Sequence, residues 1–347
     1  MLATNIGIDL GTYSVSIYME GKGVVLSEPS VIAYNKNNKI IGIGKKAYDM
    51  FEKNPEGVKV VRPLNNGIIC DFTAAKHMME YYISKVCKNM VLRPNVIISV
   101  PSTLTELEKK SVLDLATASG ASKSCLIESP LAAALGAGLD NEKPKGIMIV
   151  DIGAGSTDIA VITMGCIAVS KSIKTAGISF DEAIMRQIRR ERDIVIGEKT
   201  AEKIKTTIGS AVLRDVELGM TVKGKSYITK MPVSFEVSST EVFLALRTQF
   251  ELIIEGIRST LESTSPELAA DILDSGIVLT GGGSLLRKID KMFEKRTGIK
   301  TRVATDAEYC VANGTGRAIT HMNILLQNGY VFKDRSENDN IEKNDNL

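Results

Sequence analysis

Short apolar runs and longer stretches of helical spacing alternate along the chain. Four runs near the start, "NIGIDLG" (5–11), "SVSIYM" (14–19), "GVVLSEPSVIAY" (23–34) and "KIIGIG" (39–44), are broken by Gly11, Gly21-Lys22-Gly23 and Asn35 to Asn38. That pattern predicts strands joined by tight turns. From Thr73 to Met90 the apolar residues recur at helical spacing, predicting an amphipathic helix. "NVIISVPS" (95–102) predicts a buried strand stopped at Pro101. "TELEKKSVLDLATASGA" (105–121) predicts a second helix, with Thr105 as N-cap and Glu108 completing a capping box. In "LIESPLAAALGAG" (126–138) a strand gives way to a small-residue helix, for which Ser129 is the expected N-cap and Pro130 the first helical residue.

After Lys143-Pro144-Lys145-Gly146 the pattern starts again. "IGIDLGTYSVSIYM" (6–19) and "MIVDIGAGSTDIAVI" (148–162) share apolar residues, an aspartate, a glycine, a small polar loop and an alternating strand. Asp9 matches Asp151 and Gly11 matches Gly153, which predicts a duplicated α/β unit and two lobes. Helices are expected in "SFDEAIMRQIRRERDI" (179–194) and "TAEKIKTTIGSAV" (200–212), then strands around "GMTVKGKSYITKMPVSFEVS" (219–238). A long helix over 240–264 is expected with Thr240 as its N-cap. "GIVLTGGGSLLRKIDKMFEKRTG" (276–298) reads as strand, triple glycine and helix. "YCVANGTGRAITHMNILLQ" (309–327) reads as a helix entered through or interrupted at Gly314 and Gly316. The segment from Lys333 to Leu347 is rich in Asn, Asp, Glu and Lys and reads as a disordered tail.

Composition narrows the function classes. The 347 residues exceed one simple core, in line with two lobes. A net charge of +2 gives no basic field for nucleic acid, and two histidines leave no inventory for histidine-based catalysis or a multi-histidine metal site. The five cysteines (Cys70, Cys87, Cys125, Cys166, Cys310) form no C-x-x-C pair and read as buried thiols of a reducing cytosol. The N-terminus has no signal-peptide pattern, and no apolar run reaches the ~18 residues of a membrane span. A cytoplasmic protein is expected.

The two Asp-Gly loops carry the candidate chemistry. A tight turn exposes successive backbone N–H groups, and glycine lets phosphate oxygens approach them. Thr12, Ser14, Ser156 and Thr157 add hydroxyls. Asp9 and Asp151 fall at strand ends, where two carboxylates beside phosphates call for a cation such as Mg²⁺. One Asp-x-Gly alone is ordinary turn chemistry; the matched pair favours phosphate binding. Thr280 to Ser284, "TGGGS", suits a close backbone approach to a nucleotide at a helix start. Glu202 and Lys205, one turn apart, read either as an exposed ion pair or as a grip on a ribose or adenine edge.

Six segments, in order, together with the overall length, resemble the actin, sugar-kinase and heat-shock chaperone ATPase superfamily, and within it the MreB family of bacterial actins. They are "IGIDLGT", "GKGVVLSEPSVIA", "VRPLNNGIICDF", "VDIGAGSTDIAVI", "IGEKTAEKIKTTIGSA" and "SPELAADILDSGIVLTGGGSLLR", and the resemblance covers Asn5 to about Leu326. It implies an α/β, two-lobed actin-like ATPase fold of duplicated mixed-sheet domains around a cleft holding ATP and Mg²⁺. The implied subdomains are 1–31, 75–145 and 313–332 (IA), 32–74 (IB), 146–182 and 245–312 (IIA), and 183–244 (IIB). The implied nucleotide contacts are Asp9, Gly11, Thr12, Tyr13 and Ser14 in the first loop, and Asp151, Gly153, Ala154, Gly155 and Ser156 in the second. Glu202, Lys203, Ile204 and Lys205, with Gly281, Gly282, Gly283 and Ser284, are the implied adenosine contacts. Asp9 and Asp151 would face the metal. The family assembles into paired protofilaments, binds membrane and organises cell shape, so the expected partners are further copies of the chain, a membrane surface at its inner face, and other MreB-type or cell-shape proteins.

Five departures from the family pattern bear on function. MreB proteins usually read Glu-Glu-Pro where this chain has Glu128-Ser129-Pro130, and the second Glu is the one thought to polarise the attacking water. Ser156 keeps a hydroxyl where the γ-phosphate is expected, and Asp158 stands where the family has Glu. Tyr13 and Ser14 replace a small residue and Asn. The catalytic candidates are therefore Ser129, Ser156, Asp158 and Glu128. Losing a general base costs ~10²–10⁴ in rate, so slow hydrolysis is expected, up to a scaffold that scarcely turns over. Met90, Val91 and Leu92, flanked by Lys88 and Arg93, read either as packed loop residues or as a membrane-inserting loop. Abundant Lys, Asn and Ile, the missing glutamate and the Asn-rich tail resemble MreB paralogues of the helical, swimming Spiroplasma group. Rival readings are a small-molecule kinase, for which no substrate-binding insert is present, and a chaperone ATPase, whose peptide-binding domain would follow residue 330.

Overall fold

A computed structural model of the chain describes residues 4–53, 56–88, 92–140, 143–320 and 333–334. The chain divides into two compact units: residues 1–145, 162–168 and 309–347 form unit 1, and residues 146–161 and 169–308 form unit 2.

Unit 1 opens with β1 (Asn5–Leu10), β2 (Ser14–Met19) and β3 (Gly23–Pro29), an antiparallel meander. Then come β4 (Ile32–Tyr34), β5 (Ile40–Ile43), the short α1 (Lys45–Met50), β6 (Lys59–Val61), β7 (Leu64–Asn65) and β8 (Ile68–Ile69). Helix α2 (Phe72–Val86) stops short of the expected Met90 and is capped by the Asp71 carboxylate, which accepts from the Ala74 amide. Its buried face, Ala74, Ala75, Met78, Met79, Tyr82 and Ile83, has the helical spacing read in the sequence. Each large side chain buried there contributes about 1.5–3 kcal/mol. β9 (Asn95–Val100), α3 (Glu106–Ala118), β10 (Lys123–Glu128) and α4 (Ser129–Gly136) complete this half, and the Thr105/Glu108 capping box is formed as expected. β1, β9 and β10 run parallel, so their C-terminal ends lie on one side of the sheet. Helix α4 begins one residue earlier than expected: Glu128, with β-region dihedrals, is the capping residue, and Ser129 and Pro130 form the first helical turn.

Unit 2 repeats this plan. It comprises β11 (Ile147–Ile152), most of β12 (Thr157–Thr163) and of β13 (Cys166–Ile173), whose shared turn at 162–168 falls in unit 1, then α5 (Gly177–Arg192), β14 (Ile194–Val195), α6 (Glu198–Ile208), β15 (Gly219–Ser226) and β16 (Pro232–Ser238). The long α7 (Ser239–Glu262) is capped by Ser238, two residues before the expected Thr240, because Ser238 and Glu241 form a reciprocal capping box. α8 (Pro266–Ser275), β17 (Ile277–Thr280), α9 (Ile289–Thr297) and β18 (Thr301–Val303) follow. The strand order is β3-β2-β1-β9-β10 in one unit and β13-β12-β11-β17-β18 in the other, so the duplication read from two loops extends to whole sheets. Each unit has its own core. Ile6, Ile8, Ile17, Met78 and Ile98 anchor the first, and Val150, Ile159, Phe180, Ile204, Phe250 and Leu279 the second.

The chain then returns to unit 1 through α10 (Cys310–Thr320), and β19 (Lys333–Asp334) adds an edge strand antiparallel to β10. The polar tail therefore does not start at Lys333; residues 335–347 lie outside the described residues, as do Met90 and Val91. Gly314 and Gly316 do not interrupt α10. They are there for contact: a methyl on Gly314 would overlap the Ala132 carbonyl of α4, and one on Gly136 would overlap the Cys310 carbonyl. This close crossing explains the small-residue composition of α4. Gly314→Ala is expected to destabilise the protein by about 1–3 kcal/mol or more through overpacking, as read by urea unfolding. A change below about 0.5 kcal/mol, the size of an ordinary surface substitution, would show that the two backbones can separate freely. Among the cysteines, Cys125 and Cys310 are buried as expected, but Cys70 and Cys166 are exposed.

Candidate functional site

In unit 1, Asp9 sits near the end of β1, paired in register with Ser99 of β9. The Ser99 hydroxyl donates to Asp9 Oδ1 at 3.0 Å. Burial pushes the Asp9 carboxyl up to about 6, only partly offset by that hydrogen bond. A carboxylate so poorly solvated is one that a cation would stabilise. The loop 11–13 is clamped from one residue: Ser30 Oγ donates to the Gly11 carbonyl at 2.6 Å, and the Ser30 amide to the Tyr13 carbonyl at 2.7 Å. Thr12 Oγ1 accepts from the Gly67 amide at 3.0 Å, which leaves its proton available to a ligand.

Tyr13 belongs to the loop by its backbone, but its side chain is directed to α1. Its hydroxyl lies 2.6 Å from that of Tyr48, with the rings edge to face at 5.9 Å. The Arg62 guanidinium lies over both the Tyr13 ring (5.4 Å) and the Phe51 ring (4.6 Å). Where the family usually has a small residue, this tyrosine fastens the loop to the β4–β6 region, so only its backbone remains for the implied nucleotide contact. Tyr13→Phe is expected to cost about 1 kcal/mol, one hydrogen bond, and Tyr13→Ala about 3 kcal/mol, the bond plus the packed ring. Denaturant unfolding measures both, and equal losses would refute the ring contribution.

Glu128 ends β10 and Ser129 begins α4 at the same C-terminal side of the parallel strands, with Glu128 in register with Val100. Both are half-buried. The C-terminal ends of such strands are where open α/β sheets place ligands.

Unit 2 repeats the arrangement at Asp151. It pairs in register with Thr280 of β17, whose hydroxyl donates to Asp151 Oδ1 at 2.8 Å. Ser99 and Thr280 thus hold equivalent places in the two units. Neither was singled out as a carboxylate partner from the sequence, although aligning "NVIISVPS" with "GIVLTGGG" places them together. The 153–156 turn is closed by the Gly153 amide on the Ser156 carbonyl at 3.0 Å. Its carbonyls also meet the start of α5: the Gly177 amide donates to Gly153 at 3.1 Å and the Ile178 amide to Ala154 at 2.8 Å. Ser156 Oγ donates to Asp158 Oδ2 at 3.2 Å. Asp158 is 3% exposed, burial raises its carboxyl above the usual range, and its Oδ1 has no hydrogen-bond partner among the described residues. A buried acceptor left open beside the loop fits a site that takes a water or cation.

Helix α6 resolves the remaining candidates. Lys205 donates to Asp181 at 2.8 Å and to the Gly177 carbonyl at 3.0 Å, so its ammonium ties α6 to the start of α5. Asp181 escaped the sequence reading. Burial pushes it up to about 6 against the pull of Lys205, with Glu202 and Glu198 adding to the rise. Ile204 is fully buried in the core, so its side chain does not reach a ligand; Lys203 is exposed. The triple glycine does not open an α-helix. Gly282–Leu285 is a single 3₁₀ turn, and α9 starts later. A helix dipole there is therefore not available, and the glycines serve by close approach instead. Gly281 has φ +79° and is packed on the Ile152 carbonyl, while the space where Gly282 would carry a Cβ is open. Ser284 Oγ donates to the Gly281 carbonyl at 2.7 Å and holds the turn.

In each unit the donor set, a carboxylate at a strand end beside loop amides and hydroxyls, is of the kind that suits phosphate and Mg²⁺. Among the described residues there is no cluster of three or more His, Cys, Asp or Glu able to hold a metal. Mg²⁺ needs none, since it takes one or two carboxylates and completes its shell with water and phosphate.

The MreB/Mbl protein family model matches residues 3–327. The chain is 40% identical to the cell shape-determining protein Mbl of Bacillus subtilis, over 94% of this chain and 98% of the relative. It is 39% identical to the cell shape-determining protein MreB of Escherichia coli, over 92% and 94%. Among solved structures it is similar to MreB5 of Spiroplasma citri bound to AMPPNP, at 39% identity, TM-score 0.89, covering 95% of this chain and 99% of that one. The same protein bound to ADP matches equally well in shape, at 40% identity and TM-score 0.89 over 94% and 99%. A MamK double helical filament shares the fold at TM-score 0.79 and 21% identity, covering 92% and 99%. With its duplicated Asp–hydroxyl rungs on an actin-like fold, the chain belongs to the MreB/Mbl family of bacterial actin homologues.

Proposed function

We propose that this protein binds ATP with Mg²⁺, polymerises into filaments, and hydrolyses the nucleotide slowly. The observation that carries the reading is the pair of equivalent rungs, Asp9–Ser99 and Asp151–Thr280, in a chain similar to a protein captured with AMPPNP and with ADP. Bound Mg²⁺ supplies positive charge that offsets carboxylates and phosphate oxygens. The backbone amides of 11–14 and 153–156 and the Thr12, Ser14 and Ser156 hydroxyls bind phosphate oxygens. The Gly281–Ser284 turn, with Glu202 and Lys203, holds the nucleoside, and Lys205 acts by fixing α6 against α5.

Slow turnover follows from Ser129, which stands where the resemblance implies the water-polarising glutamate. A serine hydroxyl cannot accept a proton at neutral pH as a carboxylate can. Asp158, one methylene shorter than the glutamate the resemblance implies there, is buried and accepts from Ser156 through Oδ2. This favours the second reading as well, a scaffold filament that keeps its ATP. The relatives named as cell shape-determining proteins support a role in cell shape, and the likeness to a Spiroplasma protein supports the expected part in helical form and motility. The filament would lie in the cytoplasm on the inner face of the membrane, pairing with further copies of itself or with other cell-shape proteins. Membrane contact would use the 90–92 loop, in which Leu92 is 45% exposed.

The test is purified protein with ATP·Mg²⁺, followed by light scattering and phosphate release together. Assembly that runs far ahead of release supports the reading. Absence of ATP-dependent assembly overturns it, and sugar-stimulated ATP consumption would point to the kinase alternative.

A further inference from the structure

The β15–β16 hairpin of unit 2 ends in a tip that the nucleotide site does not use. Residues 219–235 carry three lysines and no acidic residue. At the tip, Ile228 is 71% exposed, Met231 64% and Tyr227 47%. The tip is held rather than loose: the Tyr227 amide donates to the Asp193 carbonyl at 2.7 Å, and the Lys230 amide to the Ser226 carbonyl at 3.0 Å. Two cations flank the Tyr227 ring, with the Lys230 ammonium 4.1 Å and the Arg189 guanidinium 4.7 Å from its centroid.

Three apolar side chains are far too few for a stable protein interface, which needs about 20–30 residues a side. They suit a bilayer. Ile228 and Met231 can enter the acyl boundary, tyrosine favours the headgroup level, and lysines that form no ion pair among the described residues favour anionic headgroups. We propose that the β15–β16 hairpin tip is a lipid-contact site that inserts Ile228 and Met231 into an anionic membrane surface, with Lys225 and Lys230 at the headgroups. This deepens the membrane reading above, on which it rests, by adding a contact in unit 2 to the 90–92 loop of unit 1. Filament formation multiplies a weak contact of this kind.

The chain has no tryptophan, so the Ile228→Trp variant carries a single reporter at the tip. Full-length protein is mixed with phosphatidylcholine vesicles or with vesicles enriched in phosphatidylglycerol. Emission and co-sedimentation are read together, with and without ATP·Mg²⁺. Blue-shifted emission, quenched by brominated lipid, is expected with the anionic vesicles only. Each lysine near an anionic surface strengthens binding roughly fivefold, so Lys225→Gln with Lys230→Gln is expected to weaken vesicle binding about 25-fold. Leu92→Ser separates the two loops. Sedimentation lost with Leu92→Ser, while the emission of Ile228→Trp never responds to lipid, overturns the hairpin proposal and leaves the membrane reading intact. A wild-type protein that fails to sediment with anionic vesicles overturns both. An emission shift of Ile228→Trp on polymerisation without vesicles assigns the tip to a second copy of the chain and overturns the lipid assignment.

Discussion

Ser129→Glu is expected to raise single-turnover phosphate release from bound ATP by about 10²-fold or more, within the ~10²–10⁴ that a positioned general base contributes. In barrier terms this is roughly 3–5 kcal/mol. The substitution is favourable locally. Ser129 is half-buried, not packed in the core, and lies in the first turn of α4, where a carboxylate is stabilised by the helix dipole. ATP affinity should change little, because the phosphate loops at 11–14 and 153–156 are untouched. Quench-flow on ATP-loaded protein measures the rate. A Ser129→Glu protein that releases phosphate no faster than wild type would show that residue 129 does not limit hydrolysis. Ser129→Ala is the companion measurement: it should leave the slow rate within a fewfold, since the hydroxyl is not acting as a base.

The second large effect concerns stability. Asp9→Asn is expected to stabilise the nucleotide-free protein at pH 7 by up to about 3 kcal/mol, the value of a shift of about two pK units. The reason is the cost of ionising a half-buried carboxyl, which desolvation pushes up to about 6 in the fold against 3.8 for the free group. The folded state holds this proton more tightly than the unfolded chain. Its contribution to stability is therefore present below about pH 4 and lost as pH rises to about 6. Wild-type urea unfolding should show this fall, with Asp181 adding to it in the same window, and Asp9→Asn should remove the Asp9 share. The same variant should lose most of the thermal stabilisation that saturating ATP·Mg²⁺ confers on the wild type. Stability gained with ligand response lost identifies Asp9 as a group kept for function. A variant that is less stable at pH 7 would contradict the account.

The sequence was informative where the physics is local. The α3 capping box, the amphipathic face of α2 and the apolar strand runs depend on neighbours a few residues away, so spacing suffices to read them. The errors fell where two local solutions compete. Ser238 displaces Thr240 as a cap because Glu241 reciprocates, and Glu128 rather than Ser129 occupies the cap of α4 because the extended β10 backbone continues through it. By propensity alone the glycines of α10 read as an entry or interruption, yet Gly314 serves the close approach of α4 and Gly316 that of the Tyr18 ring of β2, contacts between segments far apart in sequence.

The candidate site divides the same way. Sequence by itself determined the family, the duplicated Asp-Gly loops and the serine at position 129, because these are identities and spacings. Only the tertiary structure decided that Ser99 and Thr280 share rungs with Asp9 and Asp151, and that Tyr13 turns away to Tyr48 and Arg62. It alone showed that Ile204 is buried in the core and that Lys205 answers Asp181. Each of these depends on strand register or helix packing, which join residues tens to more than a hundred positions apart. No periodicity along one chain encodes which distant side chain will face a buried carboxylate, whereas pleat, register and exclusion of water fix it once the sheets have formed.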